Sequence, residues 1–460
     1  MATSQEKKTR QQVWIKQLTI HKYKNVQSGT VLHFNDKCNV ILGKNATGKT
    51  TLLELISRCA SGIPFIRQIE EVDIQFEFRY GITSLNVHQC ILKVNERSQP
   101  TGSAGLLTES LPDVYSTTLQ IRVTQPNEFT LSLNYSKGEV DVTLEHQGET
   151  HKEHLMNINI DVSVGYFFPV VFQSAINLKQ KNISNRVLEL ASKFWSNEPL
   201  SRFDEALDTF HKITSDSEQL NSPRIRLQIR EVVNDQEGQP PKMKAMGAQS
   251  TNIPRDILMN ILKSSQASSS MEYSLSFTNN EIGFLEKIRE TIGMERVRMT
   301  LSLLKSSEDK GDVKSGFLSY GKPEFLFTDH HGNTRRHSEL SFGQKRILAF
   351  YYYYSLHPDM VIADEIVNGL HHAWIENVMT SLEDRQCFLT SQNPLLLNYI
   401  GLFSIKDLQE RMIFCKLKDE KDCGVLTWDN ISEEDASEVV GAYAQKIEKL
   451  GDILLSRGMW

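Results

Sequence analysis

The run Gly43-Lys44-Asn45-Ala46-Thr47-Gly48-Lys49-Thr50 constrains this chain more than any other, because it meets G-x-x-x-x-G-K-[ST] at each fixed position. It stands between Asn39-Val40-Ile41-Leu42, a short apolar strand, and Thr51-Leu52-Leu53-Glu54-Leu55-Ile56, the start of a helix. In that setting the glycines let backbone N–H groups close around phosphates, Lys49 reaches the terminal ones and the Thr50 hydroxyl ligates Mg²⁺. A glycine-rich turn with a stray lysine would need neither the strand before it nor the helix after it. Residues Gly43 to Thr51 are therefore the candidate nucleotide-phosphate site.

Three further segments narrow the kind of NTPase. Met360-Val361-Ile362-Ala363-Asp364-Glu365 is an apolar strand ending in two carboxylates. Asp364 would hold Mg²⁺ through water, and Glu365 is placed to polarise an attacking water. Upstream, Leu340-Ser341-Phe342-Gly343-Gln344-Lys345-Arg346 leads into the apolar Ile347-Leu348-Ala349-Phe350-Tyr351, with Ser341 as the candidate N-cap of a helix. Its free N–H groups would bind a second anion, and the simplest donor of that anion is the nucleotide of a partner subunit. Gln386-Cys387-Phe388-Leu389-Thr390 is another buried strand, running into Ser391-Gln392-Asn393-Pro394.

These motifs resemble an ABC-type ATPase of the RecF/SMC/OLD-like branch. Leu340 to Gln344 resembles the LSGGQ signature, with Phe342 in place of a glycine, and Asp364-Glu365 resembles Walker B with its catalytic glutamate. Asn368-Gly369-Leu370-His371 resembles the GLHP segment in the D-loop position. Thr390 to Pro394 resembles the TTHSP switch, with Gln392 where that branch has histidine. Ile20-His21-Lys22-Tyr23-Lys24-Asn25-Val26 resembles the strand before the phosphate loop, and Asp452 to Trp460 resembles the ILR-x-x-GLW ending of standalone members. The resemblance covers residues 13–60 and 336–460.

It implies an α/β P-loop NTPase of ABC type, to which the residue pattern of the middle segment adds an antiparallel β subdomain and a mainly helical insertion. Its ligands would be ATP and Mg²⁺. Glu365 and Gln392 would serve catalysis, Thr50, Asp364 and Gln173 the metal, and Ser341, Gly343 and Gln344 the nucleotide across a homodimeric ATP sandwich or a larger assembly. Gln392 can hydrogen-bond a γ-phosphate or water but cannot carry a proton as histidine does, which suits a slow switch. The resemblance further suggests a prokaryotic antiphage role, as in the Septu, PARIS or retron-associated systems, with a separate nuclease or toxin as effector. A RecF-like repair or recombination ATPase contacting DNA or RNA is the alternative, and a scaffold that binds ATP but barely hydrolyses it is a third reading.

Composition agrees with a cytoplasmic protein. The 460 residues allow two to three structural units, and no apolar run approaches the roughly 18–20 residues of a membrane span. Met1 to Arg10 is polar, so no secretory signal is expected, and membrane transport is excluded for the chain by itself. The six cysteines are scattered without a CxxC pair, which suits a reducing compartment and argues against a zinc site. With a net charge of −6, any contact with nucleic acid would need a local basic patch.

The chain reads as three segments. Residues 1–175 form an N-terminal ATPase lobe, in which alternating stretches such as Val72 to Phe78, Leu119 to Val123 and Val140 to Leu144 predict an antiparallel sheet with one wet face. Ser98 to Gly105 reads as a loop, and Tyr166 to Gln173 as a strand that delivers Gln173. Residues 176–335 form the insertion, with helices expected over Val187 to Ile213 and Ile282 to Leu304. Inside it, Arg224, Arg226 and Arg230 share one face of an alternating strand, and Gln236 to Asn252 reads as a loop carrying Lys242 and Lys244. That pair suits a phosphate grip, but the acidic residues interspersed nearby favour a charged edge that discourages aggregation. Residues 336–460 form the C-terminal lobe, where His371-His372 reads as a helix start and Glu433-Glu434-Asp435 as another. No HNH-type histidine cluster or Toprim pattern is present, so any cutting or killing falls to another polypeptide.

Overall fold

The computed structural model describes residues 13–61, 71–94, 114–124, 128–136, 139–155, 202–205, 223–232, 242–264, 274–308, 315–382, 384–400, 404–418, 424–445 and 449–459. The chain divides into two compact units, one made of Met1–Leu200 with Glu383–Trp460 and the other of Ser201–Leu382. Among the described residues no helix is long and apolar enough to cross a membrane.

The first unit opens with β1 (Val13–Tyr23), β2 (Thr30–His33), β3 (Cys38–Leu42) and α1 (Lys49–Ser61). Then come β4 (Val72–Tyr80), β5 (Thr83–Val94), β6 (Val114–Thr124), β7 (Phe129–Ser136), β8 (Glu139–His146) and β9 (Glu149–Leu155). All but β3 join an antiparallel sheet in the order β2-β1-β4-β5-β6-β7-β8-β9. The expected alternation holds: Val72, Ile74, Phe76 and Phe78 are buried, with half-exposed or exposed polar residues between them. The β8–β9 hairpin closes through Gln147 and Gly148, both at positive φ (49° and 82°), the pairing of two left-handed residues that matches strand twist.

The second unit carries β10 (Arg224–Val232), β11 (Lys242–Thr251), α2 (Arg255–Ser264), β12 (Ser274–Thr278) and α3 (Gly283–Ile292). It continues with β13 (Arg296–Glu308), β14 (Ser315–Thr328), β15 (Thr334–Arg336), α4 (Phe342–Leu356), β16 (Met360–Ala363) and α5 (His372–Leu382). Its antiparallel sheet runs β11-β10-β14-β13-β12, with β15 added to β14. Helix α4 is buried continuously from Arg346 to Tyr354, which is why it has no polar face. Its tyrosines find polar partners: Tyr353 Oη bonds both the N–H and the C=O of Ile362 at 3.1 Å, and Tyr352 Oη donates to Asn252 O at 2.6 Å.

The described part of segment 176–335 is thus mostly strand, against the expectation of a mainly helical insertion. Two particular differences have clear causes. The helix expected over Ile282 to Leu304 stops at Ile292, because Gly293 takes a left-handed conformation (φ 69°) and caps it; Arg296 onward then alternates and pairs as β13. The basic loop expected over Gln236 to Asn252 is β11 from Lys242, since β10 offers it a full edge of partners. Of the Val187–Ile213 helix only 202–205 are described, where Phe203 is fully buried against Phe350 and Tyr353. Ser98–Gly105 and Tyr166–Gln173, with the metal candidate Gln173, lie outside the described residues.

The chain then returns to the first unit with β17 (Gln386–Thr390), α6 (Ile405–Arg411), β18 (Met412–Lys418), β19 (Val425–Asn430), α7 (Glu433–Ala444) and α8 (Leu450–Ser456). Strands β17 and β18 flank β3 in parallel and β19 lies antiparallel on β18. Gln386, 1% exposed, fastens this core to β1: it accepts from Ile15 N and donates to Ile15 O and Asn35 O, each at 2.8 Å.

Candidate functional site

In the first unit the phosphate loop leaves the C-terminal end of β3 and enters the N-terminus of α1, the geometry that points backbone N–H groups and a positive helix end at an anion. Three residues of the loop hold positive φ: Gly43 (150°), Ala46 (64°) and Gly48 (85°). Two of them are also close approaches. A Cβ on Gly43 would meet Cys415 O at 2.3 Å, and one on Gly48 would meet Leu426 Cδ1 at 2.8 Å and Trp428 Nε1 at 3.2 Å. Trp428 is fully buried beneath the loop and donates through Nε1 to Thr47 O at 3.3 Å. Thr47 Oγ1 donates to Lys44 O at 2.8 Å, closing the turn from inside.

Lys49 is 8% exposed and its Nζ donates to Gly43 O at 2.8 Å and Lys44 O at 2.9 Å. The ammonium is thereby fixed within the loop rather than free on a long stem. Lys44, Asn45, Ala46 and Thr50 are exposed, Thr51 is half-buried, and Leu52 N already bonds Gly48 O at 2.9 Å in the first helical turn. Burial pushes the Cys415 thiol up to about 12, so this neighbour of the loop is a neutral spacer.

Strand β17 pairs with β3 so that Thr390 faces Ile41, and the switch segment therefore emerges beside the phosphate loop. Gln392 Nε2 donates to Asn45 Oδ1 at 3.2 Å. The backbone behind it is locked locally: Ser391 Oγ accepts from Asn393 N at 2.9 Å and donates to Asn393 O at 3.0 Å, and Asn393 Oδ1 caps Leu395 N at 3.0 Å.

In the second unit the signature loop is a capping box. Ser341 Oγ accepts from Gln344 N at 3.3 Å and Gln344 Oε1 accepts from Ser341 N at 3.1 Å, so Gln344 is engaged in capping α4. Phe342 is 64% exposed and lies across Gly369, whose φ is 73° and whose added Cβ would strike the ring at 2.7 Å. A Cβ on Gly343 would meet Gly369 O and Trp374 at 2.9 Å. The signature and D-loop segments are thus packed against one another, and neither Gly343 nor Gly369 has room for a side chain.

Asp364 and Glu365 follow β16 directly and both are half-buried. Glu365 has φ 51°, a left-handed conformation unusual for a residue with a side chain. Its carbonyl accepts from Asn368 N at 3.1 Å and from Arg346 Nη2, and Arg346 Nε donates to Ile366 O at 3.5 Å. Asp204 belongs to this neighbourhood. Burial pushes its carboxyl upward against the Arg202 charge, the Asp364 charge adds to the rise, and Oδ1 has no hydrogen-bond partner. Sequence patterns do not single out Arg346, Asp204 or Trp428. Arg346 alone has a local signal, a charge breaking an otherwise apolar helical run.

The residues suit a magnesium nucleotide. The glycine cradle admits phosphate oxygens where a Cβ would not fit, and the exposed Thr50 at the start of α1 carries a hard oxygen donor. Among the described residues no group of three or more His, Cys, Asp or Glu side chains could hold a metal ion.

A family model described as "AAA domain" matches residues 17–257, more than half of the chain. A second, described as "AAA domain, putative AbiEii toxin, Type IV TA system", matches residues 208–398. No curated protein matches. Among solved structures, the SMC head bound to the C-winged helix domain of ScpA is 11% identical, with 92% of this chain and 99% of that chain covered and a TM-score of 0.41. The SMC head domain from Thermotoga maritima is 10% identical over 91% and 99%, with a TM-score of 0.35. The recombination mediator RecF is 12% identical over 92% and 100%, with a TM-score of 0.32. Likeness at such scores and identities establishes no shared activity or partner.

Proposed function

Since the chain belongs to the AAA-domain family of ATPases and its motifs stand in the order of the ABC-type RecF/SMC branch, we propose that it is a nucleotide-gated switch. Lys49, Thr50 and Asp364 hold MgATP, Glu365 polarises the attacking water, and Ser341 and Gly343 contact the nucleotide of a second copy. Bound Mg²⁺ supplies charge neutralisation on the phosphates. The observation that carries the switch reading is the hydrogen bond from Gln392 to Asn45 of the phosphate loop. An amide there senses a γ-phosphate by hydrogen bonding but relays no proton, which favours a long-lived ATP state over rapid turnover.

The signal would pass to a separate nuclease or toxin in a cytoplasmic antiphage system. The toxin-linked description of the family model over 208–398 supports that direction. A RecF-like role on DNA draws support from β10, where Arg226 is exposed and stacks at 4.1 Å over Phe317.

Light scattering with and without ATP, on the wild type and Glu365→Gln, tests the switch. ATP-driven doubling of mass, strongest in the variant, is the expected result. A monomer indifferent to ATP in both proteins would refute the sandwich. Anisotropy of labelled duplex DNA separates the two partner readings, and tight ATP-dependent binding would favour the RecF-like one.

A further inference from the structure

We propose that Arg346 is a positioning residue that holds Glu365 in its left-handed backbone conformation and ties that conformation to the signature loop. The proposal rests on the reading of Glu365 as the residue that polarises water.

Arg346 is 9% exposed, and its guanidinium uses two different nitrogens on two consecutive main-chain carbonyls, Nη2 on Glu365 O and Nε on Ile366 O. A planar fork presents its donors from separate nitrogens at a fixed spacing, a geometry that the single nitrogen of an ammonium does not reproduce. The ring of Phe203 covers the guanidinium at 5.3 Å and is itself locked by Phe350 and Tyr353. A buried cation spent on backbone carbonyls is costly, so its return lies in the geometry it fixes. That geometry is the turn after β16. With φ at 51°, Glu365 occupies a region that residues with side chains hold only when their surroundings impose it. Asn368 N supplies the other donor to the same carbonyl, which makes the turn a three-point clamp.

The other end of the lever is the signature. Arg346 lies on the first turns of α4, whose N-cap is Ser341, and α4 is one continuous helix to Leu356. Any displacement of Ser341 and Gly343 by the nucleotide of a second copy moves the same helix that carries the guanidinium. Arg346 therefore reports engagement of one nucleotide at the signature to the carboxylate that serves the other. Burial pushes the Arg346 guanidinium down from its usual value, opposed by the charges of Glu365 and Asp204.

The test measures turnover, ATP affinity, ATP-driven mass and melting temperature for Arg346→Met, Arg346→Lys, Glu365→Gln and Arg346→Met with Glu365→Gln. Misplacing a reacting group by about 1 Å costs on the order of 10²-fold in rate. The expected result is a kcat loss of that order in Arg346→Met with KM and ATP affinity within about threefold, a partial return in Arg346→Lys, and no further loss when Glu365→Gln is already present. Unchanged kcat in Arg346→Met, while Glu365→Gln is impaired, overturns the positioning role alone. So does a loss that multiplies with that of Glu365→Gln. Unchanged turnover in Glu365→Gln, or no turnover in the wild type, overturns the reading of Glu365 and the proposal together. Should Arg346→Met melt before it can be assayed, Arg346→Lys carries the same comparison.

Discussion

Gly43 shows how little freedom the phosphate loop has. Its φ of 150° is one a side chain rarely adopts, and an added methyl would stand 2.3 Å from Cys415 O, a backbone atom that cannot swing aside. Gly43→Ala should lose about 1–3 kcal/mol through backbone strain and give up nucleotide binding, as calorimetric titration with ATP would record. Gln392 makes the opposite case, an exposed residue whose change leaves the fold alone. Restoring the histidine that the resemblance carries, by Gln392→His, should raise phosphate release, and equal or slower release would remove Gln392 from the account of slow turnover.

At the scale of elements, β17 is both a floor for the site and a wall of the core. Phe388 in it is fully buried and meets Phe34 edge-on with ring centres 5.0 Å apart. Phe388→Ala should cost about 3–5 kcal/mol, visible as a lowered urea midpoint. The turn before α4 gives a pH dependence. His337 accepts the Phe325 N–H on Nδ1 at 3.2 Å, and burial pushes its pKa below the ordinary imidazole value. Because the folded form resists protonation, its contribution is complete above about pH 6.5 and declines as the pH falls from there. Melting temperature should drop between about pH 7.5 and 5.5, and less steeply in His337→Gln. These elements also mark what a single sequence discloses. The phosphate loop, the Ser341 cap, the Walker B strand and the β4 alternation were legible because each is written in neighbouring residues. The strand identity of Lys242 to Thr251 was not, since its composition reads as a loop and only the partner edge of β10 makes it a strand. Trp428 beneath Gly48 was equally invisible, being hundreds of positions away along the chain.

In the whole molecule, one unit is continuous in sequence and the other is assembled from the two segments that precede and follow it in the sequence. A chain ended after Leu382 retains every residue of Gly43 to Thr50 yet lacks β17, β18 and β19, and it should fail to bind a fluorescent ATP analogue. Binding by that fragment would show that the loop is self-sufficient. The position of β3 between β17 and β18 has a consequence for the order of events during synthesis. The nucleotide loop leaves the ribosome well before β17, β18 and β19, and until those strands emerge its strand lacks these neighbours, Gly43 the Cys415 carbonyl and Gly48 the tryptophan floor. Competence for ATP therefore waits on β19, so a chain whose synthesis has not reached that strand cannot enter the nucleotide cycle and signal prematurely.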